Sequence, residues 1–413
     1  MTNGHEWRPS RRGRAAVAGL VLVCLGTQTQ CGSTDDRDAA RDWRGSVDTL
    51  AGKIVHVSNP TEGVWREGEG WSLREDLRLG RSDGDGPELF GRIAALAVSA
   101  DGDILVADGI TQQVRVFDRD GAFRTSFGRL GGGPGEFRNI SGMAWDRDGR
   151  LWVADLGNAR FSLYGDDYVP LGNAAIQLLP FAIPWGGGFD RDGRIYDLMT
   201  SSDGEGWTTF SFVRADPDSR AWTDTLPPIR YYRSLSRPAP RRMILARSRL
   251  TVRFDPNGYL WFAETGDYRI TQRTWSGDTI RIVERVHTPA RISDAERDSI
   301  VQDLREWPPN LPETYGIRDI PEVKPAIDRI YVGADGHLIV QPRATPELEG
   351  RLFDVFSPTG VYLGPITSPV RFSTLPATPL FDRDAIYGVS TDSLGAEQVV
   401  RMRITDRRTG GEG

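Results

Sequence analysis

The residues with the most chemical potential in this chain recur in register. Asp155, Asn158 and Arg160 follow the apolar run LWVA, and Glu264, Asp267 and Arg269 follow LWFA at the same spacing. An earlier copy reads Asp108, Thr111 and Gln113. These polar residues at the end of each run could form a polar ring facing a ligand. They could equally be a structural acid–arginine pair bracing each hairpin, and repetition favours bracing, since a catalytic residue is needed once. Asp197 occurs only once: the other copies place Val106, Val153, Phe262 and Val340 there. A carboxylate inside an apolar run needs a partner, a purpose or a local change of register. A third group is basic. Arg230, Arg233, Arg237, Arg241, Arg242 and Arg247 surround Tyr231 and Tyr232 without an intervening acid. Guanidinium forks match carboxylate or phosphate oxygens in pairs, whereas a solvated loop paired with the protein's own carboxylates is the plainer reading.

Other signals are weaker. GRSDG at 80–84 fits G-x-S-x-G but lies between two strand-like segments, whereas a nucleophile elbow needs a strand-to-helix turn and a histidine partner. Beyond the leading segment the histidines are His56, His287 and His337, with no H-E-x-x-H and no pair at metal-ligand spacing. No cofactor is predicted. Turns such as ADGD could be mistaken for calcium loops, but tight-turn chemistry accounts for them.

These residues sit on a repeated frame. SADGDILVAD (99–108), DRDGRLWVAD (146–155), DRDGRIYDLM (190–199), DPNGYLWFAE (255–264) and GADGHLIVQP (333–342) are copies of one unit, and DRDAIYGVST (382–391) is a sixth with Ala385 where glycine is expected. Asp or Asn before Gly makes a tight turn, because glycine accepts positive φ and the acid side chain accepts bonds from nearby amides. The run that follows is apolar without alternation, which implies a strand buried on both faces. A second hairpin follows in most copies, as in QVRVFDRDGAFRTSFG (113–128), so each unit supplies four strands.

The chain has 413 residues, 47 Gly, 26 Pro, 12 Trp and a net charge of −6. Arg8, Arg11, Arg12 and Arg14 against Glu6 leave the rest of the chain three charges more acidic than that total, which argues against nucleic-acid binding. Lysine occurs only as Lys53 and Lys324, so arginine richness reflects composition before function. The two cysteines, Cys24 and Cys31, leave no thiol chemistry for the folded body. A basic stretch and the apolar run 15–26, too short to span a bilayer, predict a signal peptide over 1–30. TQTQCGSTDD (27–36) resembles a bacterial lipoprotein signal, which implies Cys31 as the lipidated residue, a membrane anchor, and a tether over 31–50. The chain is then an exported protein at the periplasm or outer membrane, or is secreted if Cys31 is not lipidated.

The stretch FGRLGGGPGEFRNISGMAWDRDGRLWVADLGNARFSLYG (127–165) carries a Gly-rich entry loop, the D-x-x-G turn, a V-A-D strand end and the step Asn158-Ala159-Arg160. It resembles the NHL-repeat family. The resemblance implies an all-β, six-bladed β-propeller over 51–406 with four-stranded antiparallel blades. The turn positions are separated by 47, 44, 65, 78 and 49 residues, so the two long intervals hold insertions near 225–248 and 288–325. The second contains a helix over 293–307, started by Ser293 and Glu296 as a capping box and stopped by Pro308 and Pro309. WSLREDLRLG (71–80) is expected to complete the last blade and close the ring, and 407–413 to be a tail. Both insertions join an outer strand to the next inner strand, so they share a face. That face is expected to bind a protein, peptide or glycan. The alternative is a gluconolactonase-like hydrolase or lyase with calcium held by channel carboxylates.

Overall fold

Each repeat opens as a hairpin whose turn glycine has positive φ: 89° at Gly102, 75° at Gly149, 80° at Gly193, 85° at Gly258 and 91° at Gly336. The acid that starts the turn does two jobs. Asp146 Oδ1 accepts the amides of Asp148 and Arg150 at 3.0 and 2.9 Å, and its Oδ2 accepts the Trp152 indole N–H at 2.9 Å. Asp255 repeats this with Asn257 and Trp261 at 2.7 and 2.8 Å. The sixth copy differs. Asp382 N donates to Ala385 O, three residues on, where Asp146 N reaches Arg150 O, four residues on. This turn is one residue shorter, so Ala385 already belongs to the strand and no glycine is required.

A computed structural model describes residues 43–175, 185, 187–202, 207–216, 224–225, 229–232, 240, 242–243, 246–306, 316–344, 348 and 350–406. The signal peptide, Cys31, the tail 407–413, and Arg233, Arg237, Arg241 and Trp307 lie outside the described residues.

The protein is a six-bladed β-propeller. Blade 1 runs Ile93–Val98, Ile104–Asp108, Gln113–Phe117 and Phe123–Phe127. Blade 2 runs Ile140–Trp145, Leu151–Asp155, Arg160–Tyr164 and Pro170–Ala175. Blade 3 uses Gly188–Phe189, Ile195–Ser202 and Trp207–Ala215, and its outer edge is shared by Asp224–Thr225 and Ile229–Tyr232. Blade 4 is Leu250–Phe254, Leu260–Glu264, Arg269–Arg273 and Thr279–Arg285; blade 5 is Ile327–Val332, Leu338–Pro342, Leu352–Phe356 and Tyr362–Thr367. Blade 6 is Leu380–Phe381, Ala385–Thr391 and Glu397–Asp406, completed by Trp71–Leu79 from the N-terminal side. Antiparallel pairing holds within every blade.

Six apolar clusters explain why the second strands do not alternate. One lies between each pair of consecutive blades, the sixth joining Val389 and Tyr387 of blade 6 to Ile93 and Val106 of blade 1. Each sheet therefore has a neighbour on both faces, and fully burying one such aliphatic side chain is worth about 1.5–3 kcal/mol.

The N-terminal stretch forms a belt around the outer edges of blades 4, 5 and 6. Structure begins earlier than the predicted end of the tether, with the hairpin Ser46–Leu50 and Ile54–Asn59. Ile54–Asn59 adds in parallel to Thr279–Arg285, giving blade 4 a six-stranded sheet. Asn59 fastens it: Nδ2 donates to the carbonyls of Glu284 and Gly360, both at 3.0 Å, and Oδ1 accepts the Tyr362 amide at 2.7 Å. Val64 and Trp65 then donate their amides to Tyr362 O and Leu363 O of blade 5. In the closing strand, Asp76 accepts from Arg401 at 2.8 and 3.1 Å and from Arg403 at 2.7 Å.

The insertions meet. Since Ile229–Tyr232 belongs to blade 3, the first insertion starts later than its sequence boundary implies. The second carries α1, Asp294–Glu306. Its capping box is formed, with Ser293 N donating to Glu296 Oε2 at 3.0 Å and Glu296 N to Ser293 Oγ at 3.3 Å. Ile300 of α1 is buried with Met243 of the first insertion and Ile320 in a small core of their own. Ser293→Ala is expected to destabilise α1 by about 1 kcal/mol. Faster amide exchange over 294–300, with the blades unchanged, is the readout.

Candidate functional site

The recurrent polar residues do not converge into one ring. In blade 2, Asp155 and Arg160 are cross-strand partners, yet their side chains diverge. Asp155 Oδ1 accepts the amides of Arg138 and Asn139 at 3.1 and 3.0 Å, and Oδ2 accepts Asn158 Nδ2 at 2.6 Å. Arg160 instead donates to the carbonyls of Gly132, Gly133 and Glu136. The acid holds amides of the Gly-rich entry segment and the arginine holds its carbonyls. In blade 1 the same role falls to Asp108, which accepts from Gly91 N and from Arg115. In blade 4, Glu264 is exposed and Arg269 is paired with Glu284, which also accepts from His56.

Asp197 is buried in blade 3, where its backbone is paired with Val213. Oδ1 accepts the Leu198 amide at 2.8 Å, while Oδ2 has no partner among the described residues. Burial pushes this carboxyl up to about 7, opposed by the Leu198 amide and by the nearby Trp185 indole. The Trp185 indole N–H has no hydrogen-bond acceptor among the described residues. Arg242 is exposed and joins the insertions, pairing with Asp303 of α1 at 2.5 Å.

A cavity of about 570 Å³ opens on the insert-bearing face. Its wall is the start of the inner strand of blade 5, the end of the next strand, and the connection 370–375 into blade 6. Arg78, Arg329, Arg343 and Arg371 line it, and Asp328 is the one carboxylate among its described lining residues. Arg249, which ends the first insertion, reaches over to Asp328, whose carboxylate also accepts from Arg343 Nη2 at 3.2 Å. Burial raises the Asp328 carboxyl, but the charges of Arg343 and Arg249 outweigh it and hold the group below its usual range. Arg78 is bound in a fork by Glu75 at 2.8 and 2.7 Å. Arg249 Nη1 is buried without a hydrogen-bond acceptor among the described residues, and Arg329 Nε lies 4.0 Å from Asp328 Oδ2. Among the described lining residues the guanidinium groups outnumber the carboxylates.

Sequence reasoning did not single out Arg249, Asp328, Arg329, Arg343 or Arg371. They come from three blades and share no motif; the available signal was the pair Asp328-Arg329 interrupting an apolar inner strand. The described residues do not supply a channel metal site. Among the described residues no three of His, Cys, Asp and Glu come together as a ligand set. The cavity carboxylate is already held by arginines that would repel a cation. His337 Nδ1 lies 2.7 Å from Asp335, and His287 packs on Tyr268.

The DUF5128 family model, described as a 6-bladed beta-propeller, matches residues 88–215. That span covers blade 1, blade 2 and most of blade 3. The chain shares its propeller fold with this family. No curated protein matches the chain. Among solved structures, the chain is similar to a candidate exported protein from Bacteroides fragilis, with 12% identity, 85% of this chain and 100% of that one covered, and a TM-score of 0.49. It is similar to virginiamycin B lyase from Staphylococcus aureus, with 10% identity, 81% and 100% coverage, and a TM-score of 0.43. It is also similar to a gluconolactonase from Xanthomonas campestris, with 13% identity, 80% and 98% coverage, and a TM-score of 0.40. These likenesses concern the fold. No helix among the described residues is long and apolar enough to cross a membrane.

Proposed function

We propose that this protein is an exported NHL-type propeller, attached to a membrane by a lipid on Cys31, that works as a binding module through its insert-bearing face. The observation that supports this reading is the union of the two insertions: they share an apolar core around Met243 and Ile300, and Arg249 links them to the cavity through Asp328. A scaffold needs no such superstructure on one face, and binding functions concentrate on loops held by a rigid frame. The hydrolase or lyase alternative would hold its metal on channel carboxylates.

A photo-crosslinking side chain placed at exposed Asp298 of α1 is expected to capture a partner or glycan in the cell envelope. The same group at exposed Asp148, on the turn face, is expected to capture nothing comparable. Equal capture from both faces, or none from either, would remove the binding reading. For the anchor, Cys31→Ser is expected to move the protein from the membrane fraction to the soluble one and to abolish labelling by an alkyne fatty acid. Unchanged labelling would exclude Cys31 as the lipidated residue.

A further inference from the structure

We propose that the outer edge of blade 4 is a strand-acceptor site, and that the partner it accepts is the Ile54–Asn59 segment of a second copy of this chain. The belt occupies that edge in the manner of a bound peptide. Ile54–Asn59 runs parallel to Thr279–Arg285, in register from Val55 opposite Arg281 to Asn59 opposite Arg285. Parallel neighbours are usually joined by a crossover of a dozen or more residues. Asn59 and Glu284 bond each other across 225 residues of chain, so no local connection delivers this strand. Addition of an extended segment to a sheet edge is a recurrent mode of peptide recognition, in which main-chain bonds give affinity and side-chain pockets give specificity.

Two pockets read the segment. Val57 is 1% exposed and fits against Gly360, where an added Cβ would lie 2.7 Å from Val283 Cγ2 and 3.5 Å from Val57 Cγ2. The Asn59 side chain is matched at both ends by main chain from two blades: its amide donates to carbonyls of Glu284 and Gly360, and its oxygen accepts the Tyr362 amide. A carboxylate in its place would leave both carbonyls without a donor, so the site selects an amide. At the surface, His56 Nε2 lies 2.8 Å from Glu284 Oε2. A second copy carries the same residues in the same order, and exchange of an identical element between copies retains every one of these contacts. The flanks leave room for exchange. Ser46–Leu50 is exposed throughout, and Thr61 and Glu62 beyond Asn59 are exposed, with Thr61 O accepting from Arg285 at 2.9 Å.

The test is fluorescence anisotropy of a labelled peptide of residues 44–60 titrated with the full chain. Asn59→Ala in the chain removes the side-chain bonds of the resident segment and is expected to free the edge. The peptide should then bind saturably and about tenfold more tightly than to the wild type, whose own segment competes. The same change made in the peptide is expected to weaken its binding to that variant about tenfold. His56→Ala, at a partly exposed position, is expected to give a smaller gain with the wild-type melting curve, and it decides the matter should Asn59→Ala perturb the fold. In sedimentation velocity, wild-type chain mixed with the Asn59→Ala chain is expected to form dimers that the variant alone does not form. Absence of saturable binding to both variants, binding to them no tighter than to the wild type, or equal binding of a scrambled peptide would overturn the acceptor site. Peptide binding without mixed dimers would overturn the second copy as its occupant.

Discussion

A chain that begins at Gly80 is expected to lose its monomeric, cooperatively folded state. Trp71–Leu79 pairs with Glu397–Asp406 along its whole length, and Leu79 is buried in the cluster joining blades 6 and 1. Without it, blade 6 has an open edge and the ring has no closure. An unpaired strand of this length is a template for pairing with another chain. The loss of Asp76 adds an electrostatic cost. Arg401 and Arg403 would both lose the carboxylate that pairs with them in the closed ring. Size-exclusion chromatography should show dimers and larger species, and urea unfolding should lose its single sharp transition. A monomer with an unchanged midpoint would show that closure comes from elsewhere. Removing only the residues up to Leu50 is a useful contrast. Ser46–Leu50 is exposed along its length, so that truncation is expected to cost under about 1 kcal/mol.

The second large effect is expected at Asp197, and it depends on pH. The carboxyl titrates at about 7 in the folded protein against 3.8 for an ordinary aspartate. Below pH 3.8 both states are protonated and the folded state bears no penalty. As pH rises toward 7, the unfolded chain ionises first and gains stability relative to the folded one. Above 7 the folded carboxylate is ionised, buried and half-satisfied, and the whole difference is felt. A shift of this size corresponds to about 4 kcal/mol, as an order of magnitude. Asp197→Val, which installs the residue found at Val106 and Val153, is therefore expected to raise stability at pH 8 by up to that amount. At pH 5 the gain should be clearly smaller. Urea denaturation at the two pH values reads the difference. A variant that retains the wild-type pH slope would place the titration in another group.

The parts of this fold that are local were legible from sequence. An aspartate that caps its own turn and receives a ring N–H six residues on leaves a fixed spacing, as Asp146 and Trp152 do. A strand sandwiched between two blades leaves an unalternating apolar run, as Leu151–Asp155 does. The closing strand was readable because a blade lacking its fourth strand must find one. The parallel addition of Ile54–Asn59 to blade 4 was not readable, because nothing in either segment specifies a partner so distant along the chain. Ala385 shows a subtler limit: alignment by residue type set it where glycine belongs, whereas the turn had shortened and displaced the register. Asp155 and Arg160 were legible as neighbours but not as a pair of grips on one entry segment, since side-chain direction depends on what lies beside the hairpin. The cavity arginines were the least legible, each unremarkable until three blades bring them together.

The belt from Ile54 to Leu79 also has a mechanical meaning. Tension applied at residue 43 reaches the exposed hairpin on blade 4 first, and that hairpin can open one hydrogen bond at a time. The load must then pass Asn59, and next the short contact with blade 5, before it touches the strand that closes the ring. The outer hairpin therefore lies in series with the closure, so a pull on the N-terminal side opens the hairpin before it threatens the propeller.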